Sequence, residues 1–239
     1  MVDFQDIYFH HAEQYDLLVA REDYRHQILP ALDRIRPLAG LDVVEMGAGT
    51  GRLTCLLAPR VDTLRAFDVS QPMLDVAAAR LASLGLHNWT VEVADNRALP
   101  LPDGVADLVL AGWSFGHSVA WYEERWRAEI GRALAEMQRV LRPGGTAVIL
   151  ETLGTGRETP EPPTEGLADY YAWLEHAHGF SSTWIRTDYE FDSLAEAADL
   201  TGFFFGDDFA RQVVEQQWII LPECTGLWWR RTDCGLTDG

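Results

Sequence analysis

The residues able to do chemistry begin in "VVEMGAGTGRLT", Val43 to Thr54, where Gly47, Gly49 and Gly51 alternate between an apolar run and a helical pattern. A glycine-rich turn between a strand and a helix brings bare backbone against a ligand: a pyrophosphate, a phosphate, or another nucleoside-bearing molecule. The dinucleotide turn GxGxxG uses its third glycine for close helix packing, and Arg52 holds that place here. A P-loop needs a lysine, and the 239 residues contain none. What remains is a nucleoside ligand without a pyrophosphate. Its ribose calls for an acid at the end of the next strand. Asp68 in "RAFDVS" stands about twenty residues past the first glycine, the offset of a ribose-binding carboxylate, while Ser70 is the better cap for the helix that follows.

His117 in "GWSFGHS" follows the fourth apolar run, where the carboxyl ends of parallel strands meet ligands. It is a candidate general base, with loop shaping as the alternative. Tyr8, Tyr15, Tyr170, Tyr171, Trp173 and Trp184 lie in two aromatic-rich regions that suit an apolar or aromatic small molecule, or else ordinary core packing. His176 and His178 lack a further ligand nearby, and Cys55, Cys224 and Cys234 are scattered without a CxxC spacing. No metal site and no disulfide framework is expected.

Elements must hold these groups in place. "LDVVEMG" (41–47), "TLRAFDVS" (63–70), "WTVEVAD" (89–95), "ADLVLAG" (106–112) and "GTAVILE" (145–151) are short aliphatic or β-branched runs. They alternate with the helical patterns "GRLTCLLAPR", "QPMLDVAAARLASLG" and "WYEERWRAEIGRALAEMQRVLRPGG". The alternation predicts an α/β fold, a Rossmann-like doubly wound, mostly parallel sheet with helices on both faces. Residues 1–38 read as helices forming an N-terminal lid, 40–153 as the cofactor-binding core and 154–190 as a substrate-lid insertion. Residues 191–232 read as the C-terminal part of the sheet, with "QWIILPE" and "TGLWWRR" as its antiparallel edge.

Composition narrows the partners. With 47% hydrophobic residues the chain has enough apolar content for one domain with its own core. A net charge of −18 argues against a nucleic acid partner. No stretch of about 18 apolar residues offers a membrane span. The start "MVDFQDIYFHH" lacks the order of a signal peptide, so the cytoplasm is the expected location.

Four stretches, "VVEMGAGTGRLT", "FDVSQPMLDVAAAR", "VEVADNRALPLPDGVADLVLAGWSFGH" and "MQRVLRPGGTAVILE", resemble in order the motifs of class I S-adenosylmethionine (SAM) dependent methyltransferases. The resemblance is nearest to the small-molecule group that includes ubiquinone- and menaquinone-biosynthesis methyltransferases, and it covers about residues 40–152. It implies a seven-stranded sheet, SAM as cofactor with S-adenosylhomocysteine as product, and methyl transfer to O, N or C of a small molecule. It also implies roles: Gly47, Ala48, Gly49 and Gly51 along the methionine and ribose side, and Asp68 on both ribose hydroxyls. Val69 and Met73 would pack on adenine, Asp95 would accept its exocyclic amine, and Asn96 would meet the ring through its backbone. Gly112 and Trp113 would face the methionine portion. Glu45, one methylene longer than the Asp frequent at that place, departs from the pattern. Two alternatives differ in chemistry: a SAM-binding regulatory or partner-binding protein of the same fold, and a nucleotide-cofactor oxidoreductase, against which Arg52 argues.

Overall fold

The computed structural model describes residues 4–233. Three short helices open the chain, α1 (Phe4–His10), α2 (Ala12–Val19) and α3 (Ile28–Ile35). An alternating stretch follows: β1 (Asp42–Met46), α4 (Arg52–Leu57), β2 (Thr63–Asp68), α5 (Gln71–Ser83), β3 (Trp89–Val93) and β4 (Ala106–Gly112). Next come α6 (His117–Tyr122), α7 (Trp126–Val140), β5 (Leu141–Thr155), α8 (Glu165–His178), β6 (Ser181–Arg186) and β7 (Tyr189–Glu190). The described chain closes with α9 (Leu194–Phe205), α10 (Asp207–Glu215), β8 (Ile220–Leu221) and β9 (Glu223–Arg231).

Seven strands form one sheet in the order β3-β2-β1-β4-β5-β9-β6. The first five run parallel, and β9 enters antiparallel between β5 and β6. Successive strand residues point to opposite faces, and both faces are covered. Val43, Leu108, Leu110 and Leu150 pack under α3 and α4, while Val44, Val109, Ala111 and Ile149 pack under α7 and α8. This explains why these strands read as continuous apolar runs rather than alternating ones. The chain winds outward from β1 in one direction and from β4 in the other. The crevice at the carboxyl ends of these two strands is therefore the switch point where ligands bind in such sheets.

Three expectations need correction. Residues 154–190 do not form a lid: α8 buries Tyr170, Tyr171 and Leu174 against the sheet, and β6 is the edge strand beyond β9. The helical pattern from Trp121 onward is broken at Glu123, whose φ of 36° cannot continue a helix, so α6 and α7 are separate. Of the two C-terminal runs only the second joins the main sheet. Ile220 and Leu221 instead pair with Tyr189 and Glu190 in a small ribbon, which shares an apolar cluster with α9 and Leu18 of α2.

Candidate active site

A cavity of about 310 Å³ opens at the switch point, lined by the β1–α4 turn, the ends of β2 and β4, the loop after β3, and α1, α2 and α6. The glycine turn forms its floor. At Gly47 a side chain is impossible, because a Cβ would collide with the Ser114 hydroxyl. Gly49 has a φ of +55° and nothing within 4 Å of where its Cβ would stand. That geometry favours glycine and leaves open space above the backbone. Gly51 serves packing instead. Its Cβ would touch Ala77 of α5 at 2.9 Å, so it allows α4 and α5 to approach, and it does not line the cavity.

Asp68 closes the turn. Its Oδ2 accepts from the Gly49 amide and its Oδ1 from the Ser70 amide, both at 2.9 Å. Burial raises its pKa, and the Ser70, Gly49 and Val69 amides pull the other way. A carboxylate has about four lone-pair sites, so capacity remains beyond the three amides for a ligand. Ser70 caps α5, its hydroxyl accepting from the Met73 amide at 3.4 Å. The same hydroxyl donates to the Tyr8 carbonyl at 2.6 Å, which ties α1 to the end of β2.

The loop after β4 supplies the opposite wall. Trp113 adopts a φ of +48°, uncommon for a bulky side chain. Its amide donates to the Leu150 carbonyl at 2.7 Å, and the Arg52 guanidinium lies 3.3 Å over its ring. Arg52 in turn pairs with Glu22, which also accepts from Thr187. His117 follows, stacked on Trp121 at 5.1 Å between ring centres. Burial pushes its pKa down to about 4, opposed by a hydrogen bond to the Trp113 carbonyl, so the imidazole is neutral near pH 7. Nε2 lies 2.9 Å from the Tyr8 hydroxyl, and in the tautomer that turns the other ring N–H toward that carbonyl it accepts from this hydroxyl. Glu151, within β5, accepts from the Gly116 amide at 2.8 Å and holds this loop from behind.

Gly47, Ala48, Gly49, Asp68, Val69, Met73, Asp95, Asn96, Gly112 and Trp113 are brought together on this cavity, as are Tyr8, Tyr15 and His117. Tyr170 and Tyr171 are not. Both are buried in the core, Tyr171 stacked on Trp228 at 4.4 Å, and Trp173 lies edge-on to Trp126. Trp184 sits on the exposed edge strand β6. Asp95 faces the cavity with its carboxylate already engaged: Oδ1 accepts from the Arg97 amide and Nε, both at 2.8 Å. Arg97 holds its pKa low.

Comparison with known proteins agrees with this geometry. Residues 43–145 match the methyltransferase domain family. A demethylmenaquinone methyltransferase from Thermus thermophilus is 36% identical over 124 residues, 51% of each chain. An uncharacterized methyltransferase from Anoxybacillus flavithermus is 27% identical over 76% of this chain and 91% of its own. Residues 43–145 form a methyltransferase domain. The crystal structure of a SAM-dependent methyltransferase from Aquifex aeolicus shares the fold with a TM-score of 0.55 at 19% identity, over 84% of this chain and 87% of that one. The chain spans about half the length of the first curated relatives it matches.

The domain's residues fit SAM. Thr50 and Asn96 line the cavity, their Oγ1 and Oδ1 are buried without a partner among the described residues, and the Asp68 carboxylate suits a ribose diol. Acids at Asp68, Asp95 and Glu129 suit a ligand with cationic centres. Ser114, Ser70, Glu22 and Glu151 are not legible as site residues in the sequence. Ser114 is the one its neighbour could reveal, since a glycine as constrained as Gly47 implies something pressed against it.

Proposed function

We propose that the protein transfers a methyl group from SAM to O, N or C of a small-molecule acceptor. The observation carrying this reading is Asp68, fixed by the backbone amides of the turn with acceptor capacity left over, opposite the open space above Gly49. SAM supplies a methyl group on a cationic sulfur that departs as a neutral thioether, so the protein has to align the partners, exclude water and remove a proton where the acceptor carries one.

In this reading Gly47, Ala48, Gly49, Gly112 and Trp113 border the methionine end. Val69 and Met73 flank the adenine. Asp95, whose two oxygens are both held by Arg97, turns its remaining acceptor capacity toward the adenine amine, and Asn96 offers its backbone. The acceptor enters between α1, α2 and α6, beside Tyr8, Tyr15 and His117, and His117 receives its proton. The demethylmenaquinone methyltransferases among the relatives make quinol-like rings the first acceptors to test. Nucleic acid is a poor acceptor for a chain of charge −18. No helix of the described residues is long and apolar enough to cross a membrane, and the cytoplasm is the proposed place of action.

Calorimetry with S-adenosylhomocysteine is the direct test. Wild type should bind, and Asp68→Ala should lose about 1.5–3 kcal/mol for each charge-assisted bond removed. Asp95→Ala should lose less. No binding by a folded wild-type protein would sink the reading. A methyl-transfer screen across quinols, phenols, amines and enolates, read by S-adenosylhomocysteine release, then finds the acceptor.

A further inference from the structure

We propose that Tyr8 and His117 form a two-member proton relay, in which the acceptor touches the Tyr8 hydroxyl and its proton reaches His117 through that oxygen. The inference rests on the methyl-transfer reading above and commits the acceptor to an O–H or N–H group.

His117 Nε2 and the Tyr8 hydroxyl lie 2.9 Å apart, and in the tautomer that directs the other ring N–H to the Trp113 backbone Nε2 accepts from Tyr8. An acceptor could reach Nε2 directly only by displacing Tyr8. Tyr8 is not free to leave. Its carbonyl accepts from Ser70 Oγ at 2.6 Å, and its ring packs edge-on against Tyr15 at 5.5 Å and against His117 at 5.3 Å. Phe4 and Trp121 close the sides of the imidazole at 5.8 and 5.1 Å. The hydroxyl therefore occupies Nε2 at the cavity that both residues line.

Burial suits Tyr8 to this role. Its pKa is raised well above the usual 10 by desolvation, with Tyr15, Asp68 and Glu151 adding to the effect. A free tyrosinate is thereby avoided. The hydroxyl can instead pass its own proton to Nε2 while taking the acceptor's, remaining a phenol throughout. The balance closes: the bond from sulfur to methyl breaks with its electron pair left on sulfur, and an acceptor lone pair forms the new bond to carbon. The acceptor proton moves to Tyr8 Oη, and the Tyr8 proton moves to His117 Nε2. One positive charge leaves the sulfur and one appears on the imidazole. Burial keeps the imidazole neutral, and so able to accept a proton, before the step.

The test compares wild type, Tyr8→Phe, His117→Gln and the double variant. Nitrogen-15 spectra of the protein with S-adenosylhomocysteine at pH 7 should show His117 neutral, with Nε2 unprotonated and its resonance moved by Tyr8→Phe. With the acceptor found by the screen, each single variant should lower kcat by about 10²–10³-fold. The double variant should be no worse than either single one, because the two residues act as a unit. Melting temperature and S-adenosylhomocysteine affinity should stay within a few degrees and about twofold of wild type, which separates the relay from a packing role. A proton on Nε2, a Tyr8→Phe enzyme at wild-type kcat, or an acceptor without a transferable proton would each overturn the relay while leaving methyl transfer standing. Failure of wild type to bind S-adenosylhomocysteine, or to methylate any acceptor, would remove the reading and the relay together.

Discussion

Two aromatic-rich helical segments, α1–α2 and α8, look alike in composition and face opposite ways. In α8 the hydroxyl of Tyr171 donates to the Thr152 carbonyl at 2.7 Å, and Tyr170 and Leu174 are wholly buried. In α1 the hydroxyl of Tyr8 reaches a histidine in the cavity. The difference lies in what each ring packs against. Tyr171 lies on Trp228 of β9, inside the main core, whereas Tyr8 packs on Tyr15, and Tyr15 and Phe4 pack on Phe204 of α9. A segment whose rings stack on the sheet belongs to the fold's stability. One whose rings stack on other peripheral helices is able to border a ligand.

The largest expected effect breaks that comparison if it fails. Tyr171→Ala should cost about 3–5 kcal/mol of stability, as large-to-small changes of buried aromatics do, and leave S-adenosylhomocysteine affinity within about twofold where the variant is folded. Tyr8→Ala should show the reverse pattern, costing roughly 1 kcal/mol or less, since the space it leaves joins an existing cavity, while acceptor turnover collapses. Denaturant melts and calorimetry on the same two samples decide. Loss of ligand affinity in Tyr171→Ala at full stability would return α8 to the site.

How much of this is legible in the sequence varies with the kind of signal. The Gly47, Gly49 and Asp68 spacing is readable because a strand, turn and strand fix those distances locally. For α8 two signals compete: aromatic content suggests a lid, whereas Leu167, Tyr170, Tyr171 and Leu174 repeat at three- and four-residue intervals, the mark of a helix face turned to the core. Periodicity is the better guide here, because it reports which side of the helix is covered. The capture of Asp95 by Arg97, two residues on, is within reach for the same reason of short range. The Glu22, Arg52 and Trp113 assembly is not, because its members come from three distant segments that only the sheet order brings together.

A smaller effect sharpens the comparison through pH. Glu45 in the site and Glu151 behind it are both buried, and burial pushes each pKa up to about 8 from an ordinary 4.5. Between those values the folded protein binds more protons than the unfolded chain. The stability these carboxyl groups contribute is complete below about pH 4.5 and is lost as pH rises through about 8. Each contributes a slope of at most ~1.4 kcal/mol per pH unit. Melts from pH 5 to 8.5 should therefore show declining stability. Glu45→Gln and Glu151→Gln should each flatten the decline, because an amide does not ionise. Glu151 supports both regions, holding the Gly116 amide on one side and facing Tyr170 on the other. Its variant should also report any loosening of the His117 loop as a fall in kcat at unchanged S-adenosylhomocysteine affinity. A slope that neither substitution changes would mean these carboxyl groups ionise freely in the folded protein.

The smallest expected effect concerns Tyr170, whose ring belongs to the core but whose hydroxyl has no hydrogen-bond partner among the described residues. Burial raises its pKa well above 10, with Glu151 and Tyr171 adding to the rise, so the hydroxyl stays protonated and brings a donor into an apolar setting. An unsatisfied buried polar group costs about 1–3 kcal/mol. Tyr170→Phe keeps the ring against Trp126, 6.0 Å away between centres, and removes only the oxygen. The variant should be as stable as wild type or more stable by about 1 kcal/mol, the opposite sign to Tyr171→Phe, which loses a hydrogen bond to the Thr152 carbonyl. Paired denaturant midpoints at constant slope measure the difference. If Tyr170→Phe instead destabilises by as much as Tyr171→Phe, the Tyr170 hydroxyl has a working partner in solution. In that case its apparent solitude would mark a polar extension of the active site reaching through Glu151 into α8, and the division between core aromatics and site aromatics would fail at this residue first.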